Sequence, residues 1–289
     1  MTSLVAETSN RFDRVCLILT PLFILTQYLA FLILHYVCKW RPAVTKDAIK
    51  ALAGRDAKEM TPAAWRTFHI DASQLLWSGF FHCAFGSAAV VAALGFDDNA
   101  PIRALGDRGA LMAAGDLQYI RLQESATVLG SIFGALMLSY LFYWCCGWDK
   151  GMEQLFHHLT FFGVTIVLAR RSALPQSGLW AMAMEASSPA LNAMNILRQL
   201  EGRETGAMLA FVVFILLFFL LRCVLFGKVV LRTCYLRLFD VGGFPLHVPA
   251  WEIDVVVMLW LAGWLLQLYW LRAILKKLQR RFARSTKED

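Results

Sequence analysis

His157 and His158 stand side by side in Phe156-His157-His158-Leu159-Thr160-Phe161, at the head of an apolar segment. An imidazole can serve as a general base, carry a proton or bind a metal, and in hydrocarbon it belongs on a bundle interior or a cavity wall. Glu185, Ser187, Ser188, Asn192 and Arg222 continue the polar pattern further along, each within an apolar stretch. Towards a hydroxyl or amine substrate, His157 or His158 could act as base, with Glu185 orienting the ring or Asn192 binding an oxyanion. Together with His82 the pair could also ligate zinc or iron, but adjacent residues on a helix point about 100° apart and seldom share one ion. No metal and no other cofactor is therefore expected. His35, His69 and His247 sit at span ends or in linkers and read as interfacial.

The elements that must position these groups follow from composition. The chain has 289 residues, 58% of them hydrophobic and only 17% charged. Soluble domains carry roughly 25% charge, and here apolar stretches near the ~20 residues needed to cross a bilayer recur along the whole length. The sequence predicts an all-α polytopic membrane protein with about seven transmembrane helices, at 15–38, 72–95, 125–146, 152–169, 176–199, 207–231 and 252–275. Three regions result: an N-terminal span and basic linker at 1–67, a membrane domain at 68–275, and a basic tail at 276–289. The 96–124 linker is acidic and Gly-punctuated, with room for a short interfacial helix. The net charge of +7 gathers at membrane edges and implies no nucleic-acid partner. Seventeen Lys and Arg fall on the face that holds the tail and ten on the other, which places the tail in the cytosol and the N-terminus opposite.

Depth can be counted at about 1.5 Å per residue. From the turn near 199–206, Glu185 and Arg222 both lie roughly 21–24 Å away on neighbouring helices. A lone charge at that depth is expensive and a hydrogen-bonded pair tolerable, so the two are expected to form a structural ion pair. By the same count His82, His157 and Asn192 fall into a nearer common layer. With His158, Thr160 and Ser188 they are expected to line a cavity that binds lipid. Glu185 falls too far from the paired histidines for a direct His–Glu dyad.

Five ordered marks resemble the TLC family, the lipid-related membrane domain shared by ceramide synthases, translocon-associated proteins and lipid-homeostasis proteins. They are Ser78-Gly79-Phe80-Phe81-His82, Ser139-Tyr140-Leu141-Phe142-Tyr143, His157-His158-Leu159-Thr160, the element from Glu185 through Ser188-Pro189 to Asn192, and Phe218-Phe219-Leu220-Leu221-Arg222. The resemblance implies a TLC-type bundle with an internal cavity. Ceramide synthases follow the His pair with a His-Asp-x-Ser-Asp stretch, whereas Trp180–Asn192 contains neither His nor Asp. The chain is thus closer to the non-synthase members, and the balance of residues is against catalysis.

Three classes of function are expected in order: lipid binding or regulation, an accessory subunit of a larger membrane complex holding a bound lipid, and lipid N-acyl transfer. Membrane lipids are the expected partners, with other membrane subunits next. Family habit favours the endoplasmic reticulum, while a mitochondrial or other organellar membrane stays open. The basic tail suits a stop-transfer flank or contact with anionic head groups.

Overall fold

The computed structural model describes residues 2–40, 61–95, 117–147, 152–171, 173–197, 204–239 and 248–288. They form seven helical rods. These are α1 (Thr2–Trp40), α2 (Pro62–Leu94), α3 (Leu117–Cys145), α4 (Met152–Thr165, running on as a π-turn through Ile166–Arg170), α5 (Pro175–Ala183, a 3₁₀ turn at Met184–Ser187, then Ser188–Leu197), α6 (Glu204–Leu217, a π-helical stretch at Phe218–Leu225, then Phe226–Phe239) and α7 (Ala250–Glu288). All seven expected spans fall on a rod.

Several rods run well beyond the apolar spans that mark them. α1 begins at Thr2 and α2 at Pro62, and α7 carries the basic tail as continuous helix. Hydropathy reports where a helix meets hydrocarbon, and polar turns beyond that boundary leave no such mark. Five rods are long and apolar enough to cross a membrane, and α4 holds a shorter apolar stretch at Leu155–Arg170. The expected interfacial helix and most of the two polar linkers fall on 41–60 and 96–116, outside the described residues.

Neighbouring rods run antiparallel where contacts pair in opposite order, as Phe23 with Phe81 and Thr26 with Trp77, His82 with Tyr140 and Phe85 with Phe133, and Phe226 with Trp260 and Arg237 with Asp254. Trp77 Nε1 donates to Thr26 Oγ1 at 3.1 Å between α2 and α1, Phe85 stacks on Phe133 between α2 and α3, and Arg237 pairs with Asp254 between α6 and α7. α1 and α3 run parallel: Cys16 meets the Ser131 carbonyl, and Thr20 that of Ala135. One core, which includes Phe23, Trp77, Phe133, Leu136 and Leu179, joins α1, α2, α3 and α5. A second, around Leu168, Phe226, Ile253 and Trp260, fastens α7 to α4 and α6. The outside is the converse: Leu17, Ile18, Phe80, Val91 and Met258 are all more than 60% exposed, which water would penalise and lipid does not.

Without a hydrophobic drive between helices in lipid, close backbone approach through small residues is what holds them. Gly86 on α2 lies so near α5 that a Cβ there would collide with the Ala186 backbone. Gly227 on α6 makes room for the Trp264 indole, which donates to the Cys223 carbonyl at 2.9 Å. Trp260 and Trp264 therefore pack inward against α6.

Candidate functional site

The site starts from Pro189. A proline inside a helix has no N–H for the carbonyl four residues back, here that of Glu185. The Ser188 N–H bonds the Glu185 carbonyl instead, which tightens Met184–Ser187 into a 3₁₀ turn. The Met184 carbonyl, which Ser188 would have served in a regular helix, is left to side chains. It accepts from Ser187 Oγ at 2.9 Å and from Arg222 Nε at 3.2 Å. The irregular turn is thus the reason a guanidinium from α6 can dock on α5. Arg222 itself lies in the π-helical stretch, and such local irregularities recur at functional sites.

Around that dock the polar groups are dense. Arg222 Nε donates to Ser187 Oγ at 2.8 Å and Nη2 to Ser188 Oγ at 3.0 Å. Ser188 Oγ in turn donates to Glu185 Oε2 at 2.9 Å. Glu185 Oε1 stands 3.8 Å from Arg222 Nη2, so the two charges are coupled mainly through Ser188. Phe218 covers the guanidinium, its ring centroid 5.6 Å from Cζ. Glu185 is 3% exposed and Ser187 fully buried. In such a place the attraction outweighs desolvation only when the remaining hydrogen-bonding positions are filled.

A histidine does reach Glu185, and it is His82 of α2. Its Nδ1 lies 2.7 Å from Glu185 Oε2, close enough for an ion pair though poorly aligned for a hydrogen bond. Gly86, one turn further along α2, permits the approach. On the other side of the ring, Nε2 meets the Tyr140 hydroxyl of α3 at 3.2 Å.

The paired histidines form the far wall. His158 stacks on Tyr140 with centroids 4.6 Å apart, and its buried Nδ1 has no partner among the described residues. His157 turns away from it and packs on Phe161 at 4.6 Å. Asn192 sits beside Gly79 of α2, and Thr160 is half-buried and joins none of these contacts. The structure thus gathers His82, His158, Glu185, Ser188 and Arg222 into one cluster, with His157 and Asn192 at its edge. Tyr140 and Ser187 complete it. Neither was singled out from the sequence as a site residue, although Pro189 four residues after Glu185 signals the broken turn that recruits Ser187.

The cavity beside the cluster lies between α5, α6 and α7, with a volume of about 560 Å³. Its lining is mainly apolar, and of the residues expected to line a cavity or form the pair, only Arg222 borders it. The six residues expected to line a cavity lie instead where α2, α4 and α5 meet, with His82 and His158 buried and His157, Thr160, Ser188 and Asn192 half-buried. Among the described residues no three His, Cys, Asp or Glu side chains come together in a way that could hold a metal ion.

An all-helical bundle with several membrane-crossing rods and a charged interior defines a multi-pass integral membrane protein. The family model of the TLC domain matches residues 72–276, and the chain belongs to that membrane-associated, lipid-related family. No curated protein and no solved structure matches it.

Proposed function

We propose that this protein binds or regulates membrane lipid through its intramembrane polar cluster and the apolar cavity beside it, without ceramide synthase activity. The observation that carries this reading is the junction of the two. A lipid-sized apolar cavity, within the ~300–1,000 Å³ range of ligand sites, ends on a buried guanidinium. The test is gentle extraction of the full chain followed by mass spectrometry of retained lipid. The expected result is one lipid class held at about one molecule per chain and depleted in Arg222→Ala. A lipid profile identical to that of bulk membrane would overturn the reading.

One arrangement favours a second reading, acyl transfer: Glu185 behind His82, and His82 facing the Tyr140 hydroxyl. In that case the base is His82, and an acyl-transfer assay should lose its signal in His82→Ala. Absence of turnover in the parent chain would exclude this reading.

A further inference from the structure

The cavity has a polarity of its own. Its α6 wall is a single stripe from Glu204 to Arg222, eighteen residues and therefore about 27 Å of helix. Phe211, Phe214, Trp270 and Leu278 make the wall between apolar. The two ends differ in sign: Glu204 is in the first turn of α6 at the rim, and Arg222 is at the inner end. Arg222 is 9% exposed. Its Nε and Nη2 are occupied by Met184, Ser187 and Ser188, whereas Nη1 makes no hydrogen bond among the described residues. Glu185, the carboxylate paired with it, stands at 3.8 Å and is shared with His82.

From these features we infer that the slot takes a long-chain carboxylate, inserted head first, with its oxygens on Arg222 Nη1 and its chain along α6 towards Glu204. The inference rests on the lipid-binding reading and names the ligand class of that same site. Arg222 borders the cavity with Nη1 still free to donate, and a planar guanidinium suits a carboxylate above other heads. Glu204 at the rim repels a carboxylate that would lodge there with its chain inward, so the charge pattern selects one orientation. An alcohol or an ester would fill the slot without giving the guanidinium the charged, two-oxygen partner that makes its strongest hydrogen bonds.

The test uses the full chain in nanodiscs of phosphatidylcholine, with radiolabelled oleate and methyl oleate as probes. Oleate should bind at one per chain, and methyl oleate at least tenfold more weakly. Ala273 lines the slot from α7 and is exposed. Ala273→Phe should therefore fill the space and weaken oleate at least tenfold, in a protein that still elutes as the folded species. Equal binding of ester and acid, oleate binding indifferent to Ala273→Phe, or no oleate binding would each overturn the inference. If another lipid class is nonetheless retained on extraction, only this inference falls. If no lipid is retained, the lipid-binding reading falls with it.

Discussion

At the scale of single residues, the cluster is a set of groups that cannot be removed independently. Deleting one partner of a buried ion pair leaves the other uncompensated, at about 3–5 kcal/mol. Glu185→Ala and Arg222→Ala should each cost about that much in unfolding free energy, and the double variant distinctly less than their sum. Reversible denaturation in mixed micelles would measure the cycle, and additive losses would show that Ser188 does not couple the charges. Tyr140→Phe is milder: it removes the hydroxyl facing His82 Nε2, and about 1–3 kcal/mol is expected for a buried polar group that loses its partner. A cost equal to that of Glu185→Ala would mean that Tyr140 holds more than a single hydrogen bond. Much at this scale was legible in the sequence. Glu185 and Arg222 share a turn, so rise per residue alone brings them to one level. His82 was misplaced into another layer because its register against α5 is set by contact at Gly86, and no count along one helix contains that information.

At the scale of elements, two helices owe their function to a departure from regular geometry. Pro189→Ala restores the missing N–H, so Ser188 can return to the Met184 carbonyl and the Arg222 dock on that carbonyl is lost. Amide exchange through 185–192 should slow while retained lipid falls. Unchanged exchange there would show that the 3₁₀ turn is imposed by packing and not by proline. Gly86→Ala acts from the opposite side. Its Cβ would press on the α5 backbone, and overpacking of this kind costs about 1–3 kcal/mol. Thermal unfolding should drop accordingly, with lipid retention reduced as His82 is levered off Glu185; wild-type stability would contradict the tight approach. The 3₁₀ turn could be anticipated from a proline position. The π-helical stretch at Phe218–Leu225 could not, because its support comes from α7, where Trp264 binds the Cys223 carbonyl. A distant partner of that kind leaves no local signature.

At the scale of the whole molecule, seven rods that each crossed the bilayer would set the two ends of the chain on opposite faces. With the basic excess of the tail side, α7 should end in the cytosol and α1 should begin across the membrane. Cysteine-labelling of tags in sealed vesicles would check this, and equal access to both tags from one side would refute it. Rod count was legible because hydrophobicity repeats at the length a bilayer imposes. The position of the cavity was not, since it depends on which rods close up and which stay apart. That closure has a consequence for reading other chains. A side chain at position 86 presses on the Met184–Ser187 turn that lies against it. A glycine four places after the His82 equivalent, a proline four after the glutamate and an arginine on the following helix thus form a compound fingerprint. Any relative that keeps all three has the means to preserve this interior, and one that has lost the glycine must have rebuilt it.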